Sequence, residues 1–253
     1  PTSRSRPICL EALLRWRHPE RGLLTPGAFL TDINDPGLEA AIGMFVVEAV
    51  FNDLVYMRER GLPIGRVAIN VTNADFRSEQ FVDRFLSLSA QTGIAPDRLC
   101  IEVVEQVFLG SDYQGFRERL ARLHDAGVEI ALDDFGTGYA SLSHLRHMPI
   151  DRLKIDRGFV ANLPNSSADL AIVEGIVGIA HALGKSVTAE GVETAAQAQL
   201  LLDLGCDYLQ GWHFAKASNR ERLPHILANL PSMYPVNDDE AFLPVAAGNR
   251  LVI

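Results

Sequence analysis

Residues 128–134, with the sequence VEIALDD, decide the fold class, because a mainly apolar run ends there in two adjacent acids. Four further short apolar runs end in a carboxylate or an amide, at Glu11, Asn70, Glu102 and Glu190. Apolar runs of this length are typical of buried parallel strands. A parallel barrel carries its chemistry at the carboxyl ends of its strands, so we expect these side chains on one rim. Oxygen ligands gathered on one rim indicate a hard divalent cation, such as magnesium or manganese.

Length and composition agree with a single barrel. The chain has 253 residues, the usual size of one (β/α)8 barrel, and 47% of them are hydrophobic. We expect one domain over residues 1–230 and a peripheral tail over residues 231–253, where three prolines and an acidic cluster interrupt the pattern. The sequence predicts neither a membrane span nor a secretion signal. The domain is therefore expected in the cytoplasm, whether or not a longer protein that contains it is anchored to a membrane.

Charge and cysteine content exclude other classes of protein. A formal net charge of -9 argues against non-specific binding of nucleic acid, which requires many lysines and arginines. Cys9, Cys100 and Cys206 are an odd number and lie within apolar runs, which favours reduced thiols in a core over a disulfide framework. The seven histidines show no ligand spacing for a zinc site.

Strand and helix signals alternate along the chain. Helical spacing of apolar residues is found in the ranges 40–60, 79–91, 113–126, 168–183 and 195–204. Together with the strand runs, this alternation gives seven strands and predicts a parallel sheet with helices outside. A doubly wound open sheet is the competing fold, but it would collect ligands at one switch point and not from nearly every strand.

Seven motifs, in a fixed order, carry a family resemblance. They are EALLRW at 11–16, NVT at 70–72, EVVE at 102–105, DDFGTGY at 133–139, KID at 154–156, EGVE at 190–193 and QGW at 210–212. Together they resemble the EAL-domain family of bacterial cyclic di-GMP phosphodiesterases, over about residues 10–217. The resemblance implies an α/β fold with a TIM-like (β/α)8 barrel. It also implies hydrolysis of one phosphodiester bond of cyclic di-GMP, which gives linear pGpG, with two divalent cations.

The resemblance also implies which residues bind metal. The implied ligands are Glu11, Asn70, Glu102, Asp133, Asp134 and Glu190. Asp133 would bridge two cations, Mg²⁺ or Mn²⁺, whereas Ca²⁺ is expected to bind without the correct in-line geometry and to inhibit. Glu11, Lys154 and Glu190 are the implied catalytic residues. Lys154 would face the attacking water, with an ammonium whose pKa two nearby cations could lower.

Substrate and loop residues follow from the same resemblance. The implied substrate contacts are Leu14, Arg15, Glu193 and Gln210. Arg15 offers a planar fork to a phosphate, although pairing with a barrel acid is an open alternative. The implied regulatory loop consists of Phe135, Gly136, Thr137 and Gly138, with Glu105 as its anchor. In the family this loop connects the site to a dimer interface, so a homodimer is expected; a surface role for Glu105 is the alternative.

The sequence departs from the family at its start and near the last strand. Only residues 1–10 precede Glu11, so the family's first strand, with its glutamine, is missing or replaced. The strand that carries Glu11 would then have an unpaired edge, which an upstream segment or a second copy would have to cover. Thr72, Trp212 and Ala217 stand where Ser, Tyr and Pro are common in the family.

Two functions from different classes remain open. An active metal-dependent phosphodiesterase is favoured, because no implied metal ligand is lost and the lysine is present. A catalytically weak cyclic di-GMP receptor or interaction module on the same fold is the alternative. A different metal-dependent barrel phosphodiesterase is a third reading. Family domains are often joined to sensor or GGDEF domains, so such a domain is expected upstream in a longer protein.

Overall fold

The structure, a computed structural model, describes residues 8–30, 33, 35–78, 80–109, 112–136, 138, 142–229 and 241–246. In these ranges the strands are β1 (Ile8–Leu13), β2 (Trp16–His18), β3 (Gly22–Leu24), β4 (Ile64–Asn70), β5 (Leu99–Val104), β6 (Glu129–Phe135), β7 (Arg152–Ile155), β8 (Ser186–Ala189), β9 (Tyr208–Leu209) and β10 (Ala241–Ala246). The α-helices are α1 (Pro36–Glu59), α2 (Asn73–Arg77), α3 (Gln80–Thr92), α4 (Tyr113–Asp125), α5 (Leu142–His147), α6 (Arg157–Val160), α7 (Ser167–Ala182), α8 (Ala195–Asp203) and α9 (Leu223–Asn229). Short 3-10 helices occupy Pro26–Ala28, Pro96–Arg98, Glu105–Leu109 and Arg220–Arg222.

Eight strands form one parallel sheet in the order β10-β1-β4-β5-β6-β7-β8-β9. The strands at the two ends of this order, β9 and β10, lie next to each other, so the sheet curls into a barrel. Helices connect successive strands, as expected for parallel pairs, which cannot be joined by tight turns. The predicted α/β barrel is confirmed. The five predicted helices correspond to α1, α3, α4, α7 and α8, although residue 79, the predicted start of α3, lies outside the described residues.

The edge beside β1 is covered by the end of the same chain. Strand β10 pairs with β1 over six positions, from Ile8 opposite Ala241 to Leu13 opposite Ala246. Two sequence-based expectations need correction here. Residues 241–246 form a strand of the barrel and not a peripheral tail, and neither an upstream segment nor a second copy is needed to pair β1 over these positions. The physical reason is that an unpaired parallel edge exposes backbone donors and acceptors, which an extended apolar hexapeptide can satisfy.

Helix α1 also departs from the sequence-based expectation. It begins at Pro36, four residues earlier than predicted, because the carboxylate of Asp35 caps it and accepts hydrogen bonds from Gly37 N and Leu38 N at 2.8 and 3.4 Å. It has 24 residues and contains an 18-residue window with a mean hydropathy of 1.5, so by length and composition alone it could cross a membrane, where the sequence predicts no span. Core helices pass the same test. One face of α1, including Val47, Val50 and Phe51, is buried in the core.

Alternation along the strands divides the core into two parts. One set of side chains, including Leu10, Val67, Ile101 and Leu132, packs outward under the helices, where each buried large apolar side chain contributes about 1.5–3 kcal/mol. The other set points into the barrel. Four small side chains of this set, Cys9, Ala68, Cys100 and Ala131, form a separate cluster with Tyr208. The next layer, at the carboxyl ends of the strands, consists of polar groups. All three cysteines are buried free thiols, as the sequence predicts.

Candidate metal centre and active site

The predicted rim residues come together at the carboxyl ends of the strands. Glu11 is in β1 and Asn70 ends β4, and the amide of Asn70 donates from Nδ2 to Glu11 Oε1 at 2.7 Å. Gln210 follows β9 and donates from Nε2 to the other Glu11 oxygen, Oε2, at 2.5 Å. A carboxylate with both oxygens engaged from opposite sides is held in one orientation. Glu11 is therefore held in one orientation by two side chains of the rim.

Lys154 lies at the centre of the acidic residues. Its Nζ atom is 2.6 Å from Glu190 Oε1, 2.8 Å from Glu102 Oε2 and 3.2 Å from Asp133 Oδ1. A fourth carboxylate oxygen, Glu11 Oε2, lies at 3.8 Å. The side chain of Lys154 is 1% exposed, so these charges interact with little screening from water. One buried ammonium thus serves four carboxylates.

The close packing of buried carboxylates around Lys154 raises several pKa values. Burial, together with neighbouring carboxylates, raises the pKa of Glu190 to about 8 despite the opposing effect of Lys154. Burial likewise raises the pKa of Glu102 well above its ordinary value, against the pull of the same lysine. Burial alone would lower the pKa of Lys154, but the surrounding carboxylates raise it well above its ordinary value. The sequence-based expectation is a lowered pKa for Lys154 beside two cations. In the chain alone this pKa is raised, so only bound cations could lower it.

Asp134 occupies a backbone conformation that few non-glycine residues adopt. Its φ angle is +54°, in the left-handed region, and its N–H donates to Asp133 Oδ1 at 3.0 Å. The turn directs the two adjacent carboxylates to the same place: ligand oxygens of Asp133, Asp134 and Glu190 lie within 4.8 Å of one another. Strained backbone at a cluster of ligands is typical of functional sites.

One rim acid was missed in the sequence-based assignment. Asp156 follows β7 directly and shares a side-chain hydrogen bond with Asp134, whose pKa is raised to about 6 by burial, by Asp133 and by Asp156. Asp156 also caps α6, since its Oδ1 accepts from Gly158 N at 2.9 Å. The signal was present, because Asp156 ends a strand in the same way as the other rim acids.

Glu105 anchors the loop after β6. Its two carboxylate oxygens accept hydrogen bonds from Gly136 N at 3.0 Å and Gly138 N at 2.9 Å. Both glycines have positive φ angles, 101° and 130°, which a side chain would disfavour. Glu105 is 1% exposed, so the alternative of a surface acid is wrong. Phe135 is buried at the end of β6, and Thr137 lies outside the described residues.

The remaining predicted contacts surround the rim without joining it. Leu14 lines a cavity of about 520 Å³ that also reaches Asn70, and a neighbouring cavity of about 370 Å³ beside Arg15. Arg15 donates from Nη1 to the carbonyl of Leu14 at 2.8 Å, and burial lowers its pKa while Glu11 raises it. The side chain of Glu193 is exposed, and so is Trp212, at 62%. These residues are available to a ligand above the rim.

The donor set fits divalent cations. The implied ligands offer only oxygen, from five carboxylates and one amide, as hard cations prefer. Oε1 of Glu102 is buried and has no hydrogen-bond partner among the described residues, a costly arrangement that a cation would relieve. The chain therefore contains an acidic cluster suited to metal binding.

Carboxylates that can hold metal ions at the rim of a parallel barrel, around a buried lysine, suit metal-dependent hydrolysis of a phosphate ester. The sequence profile of the EAL domain family matches residues 2–217. The chain belongs to the EAL domain family.

Individual relatives agree with this membership. The chain is 38% identical over 216 residues to the bifunctional diguanylate cyclase/cyclic di-GMP phosphodiesterase MucR of Pseudomonas aeruginosa, covering 85% of this chain and 31% of MucR. It is 37% identical over 207 residues to the cyclic di-GMP phosphodiesterase NbdA of the same organism, covering 82% and 26%. The chain thus spans about a third or less of these curated relatives. The solved MucR phosphodiesterase in complex with c-di-GMP superposes with a TM-score of 0.75 at 38% identity, over 81% of this chain and 83% of the other.

Proposed function

We propose that this domain hydrolyses cyclic di-GMP to linear pGpG. The observation that carries the proposal is the meeting of the polar side chains from seven strand ends on one rim. Glu11 contacts Asn70 and Gln210, while Lys154 contacts Glu102, Asp133 and Glu190. The names of MucR and NbdA, both cyclic di-GMP phosphodiesterases, support the same substrate.

Two divalent cations, Mg²⁺ or Mn²⁺, are proposed as cofactors. Glu11, Asn70, Glu102 and Asp133 would hold the first, and Asp133, Asp134 and Glu190 the second. When bound, the cations supply positive charge at the phosphodiester and at the attacking water. Ca²⁺ is proposed to bind and to inhibit, because it prefers more ligands and longer bonds.

Side chains of the rim are proposed to transfer protons and to bind the substrate. The ammonium of Lys154 lies within 3.2 Å of three carboxylates. It is proposed to exchange a proton with the attacking water, with Glu190 as the intermediate carrier. Glu11 is kept in one orientation by its two amide partners. Arg15 is proposed to bind a phosphate oxygen, with Leu14 beneath the nucleotide. Gln210 and Glu193 are proposed as further substrate contacts.

A homodimer is proposed on the exposed face of α7. Ile172 and Ile179 are 40% and 36% exposed there, and Gly175 and Gly178 between them leave open space above the backbone. Apolar residues spaced three and four apart form a seam that a second copy of the helix can cover. The loop anchored by Glu105 is proposed to transmit dimerisation to Asp134, because the loop follows Asp134 directly at the end of β6.

The domain is proposed to work in the cytoplasm as part of a longer protein. The chain covers only 31% of MucR, whose name includes a diguanylate cyclase activity. A sensor or GGDEF domain upstream would supply the signal that controls hydrolysis.

The decisive experiment is nucleotide analysis after incubation with cyclic di-GMP and Mg²⁺, with and without a chelator. The proposal predicts pGpG that appears only with the cation. Binding of cyclic di-GMP without pGpG would favour the receptor alternative. Glu20→Gln, an exposed acid in the turn between β2 and β3, serves as a control variant that should not change the result.

A further inference from the structure

A buried carboxylate outside the acidic cluster lies five residues after Asn70 in the chain. Asp75, in α2, is 3% exposed, and its Oδ2 accepts hydrogen bonds from Thr72 N and Thr72 Oγ1, both at 2.8 Å. Its other oxygen, Oδ1, is buried without a hydrogen-bond partner among the described residues. Burial raises the pKa of Asp75, with a further contribution from Glu39. A carboxylate kept in this environment costs stability, which a capping role alone does not require.

Helix α1 has a gap shaped for this carboxylate. A methyl group built on Gly43 would overlap Asp75 Oδ1 and lie 2.5 Å from its Cγ. All three of the nearest atoms to that methyl position belong to Asp75, and the third, Oδ2, is 3.0 Å away. Any side chain at position 43 would therefore have to displace the carboxylate. Gly43 and Asp75 fit each other as a pair and hold α1 against the start of α2.

The carboxylate is connected to Asn70 through a short and fully bonded turn. Thr72 is tied to Asp75, and Val71 N donates to the carbonyl of Glu102 at 2.9 Å. Asn70 then donates from its side chain to Glu11. Only Val71 separates Thr72 from Asn70, so a displaced Thr72 pulls directly on the end of β4.

We propose that Asp75, seated against Gly43, is a positioning residue that sets the orientation of Asn70 as a metal ligand. The inference rests on the proposed function only in taking Asn70 as a ligand. Loss of the carboxylate, or a side chain at position 43, releases Thr72 and lets the amide of Asn70 turn away from Glu11. Residues that hydrogen-bond a metal ligand directly change metal affinity by about 10–100-fold when replaced, and we expect an effect in this range for Asp75 although it acts through Thr72.

The test measures Mn²⁺ binding by calorimetry, without substrate, in the whole chain. Asp75→Ala and Gly43→Ala should each weaken binding by about 10–100-fold. The double variant Gly43→Ala/Asp75→Ala should bind no more weakly than Asp75→Ala, because the added methyl then meets no carboxylate. Asp75→Asn keeps a side-chain oxygen for Thr72 and should retain binding within a few-fold.

Ser166→Ala is the matched control, since Ser166 caps α7 by accepting a hydrogen bond from Asp169 N at 3.2 Å and is not one of the implied metal ligands. It should lower the melting temperature and leave Mn²⁺ binding unchanged. The positioning role is refuted if Asp75→Ala, like this control, leaves Mn²⁺ affinity unchanged. It is also refuted if the losses of Mn²⁺ affinity in Asp75→Ala and Gly43→Ala add in the double variant. Should Asp75→Ala fail to fold, Gly43→Ala decides by the same criterion. A wild-type chain that binds Mn²⁺ but does not hydrolyse cyclic di-GMP would refute the proposed function and leave this inference standing.

Discussion

The Nζ atom of Lys154 lies 2.6 Å from Oε1 of Glu190, and the two side chains project from the ends of neighbouring strands. The same ammonium serves Glu102 and Asp133. Buried carboxylates repel each other strongly when no cation separates them. We therefore regard Lys154 as the counter-ion around which the rim is assembled.

Replacing Lys154 should destabilise the protein when a chelator keeps it free of divalent cations. Lys154→Met removes the charge and keeps the length of the side chain, which leaves buried carboxylates without a partner at a cost of about 3–5 kcal/mol. Mg²⁺ should then raise the melting temperature of Lys154→Met more than that of the wild type. Thermal melts with and without chelator measure both effects, with Lys216→Met as the control. Equal melting temperatures for Lys154→Met and wild type in chelator would show that Lys154 is not the counter-ion.

Stability without divalent cations should fall as the pH rises. The pKa of Asp134 is raised to about 6 and that of Glu190 to about 8, so the folded protein keeps protons that the unfolded chain loses above about pH 4. The stabilisation from these two groups is complete below that pH and is lost as the pH rises toward 8. Melting temperatures in chelator should therefore decrease over this range, and added Mg²⁺ should flatten the decrease. A chelated protein that becomes more stable between pH 5 and 8 would contradict the raised pKa values.

Removing the loop anchor should affect both stability and the metal site. Glu105→Ala leaves the N–H groups of Gly136 and Gly138 without their acceptor, at a cost of about 1–3 kcal/mol. Because the loop follows Asp134 directly, metal binding should weaken as well. Glu105→Gln keeps one acceptor oxygen and should show a smaller effect on both. The measurements are denaturant unfolding and Mn²⁺ calorimetry. Unchanged metal affinity in Glu105→Ala would limit Glu105 to a structural role.

Strand β10 should contribute measurably to barrel stability. A variant that ends at residue 240 loses the six paired positions on β1, so its melting temperature should fall by several degrees, about 2–4 °C per kcal/mol lost. Glu11 lies on β1, so turnover should fall too. A variant that ends at residue 246 keeps the strand and is the control. If the two variants melt together, β10 does not hold the edge of the barrel.

Local patterns explain how much of this architecture could be predicted from the sequence. An apolar run that ends in an acid predicts a buried strand with the acid at its carboxyl end. This is why Glu11, Glu102 and Asp133 could be placed on one rim. The spacing of apolar residues likewise located the five long helices to within a few residues. These signals lie within a few residues of the feature that they predict.

Features that depend on distant parts of the chain could not be predicted in this way. The partner of β10 is about 230 residues away in the sequence, and Pro244 within that run argues against a strand when it is read alone. The requirement for glycine at position 43 depends on Asp75, which lies on another helix. The buried ion pair between Arg152 and Glu129, with Nε and Oε1 2.6 Å apart, lies at the opposite end of the barrel and joins two different strands. Asp156 is different, because it follows β7 directly and so carries the same local signal as the other rim acids.

Hydrolysis of cyclic di-GMP at the rim around Glu11 is tested by comparing pGpG formation by the wild type and by Glu11→Gln, each with Mg²⁺, with Ca²⁺ and with chelator. We expect pGpG from the wild type with Mg²⁺, much less with Ca²⁺, and none with chelator. Folded Glu11→Gln should form pGpG far more slowly, because it lacks an implied metal ligand. Wild-type turnover by folded Glu11→Gln, or undiminished turnover in chelator, would show that this rim is not a metal-dependent active site.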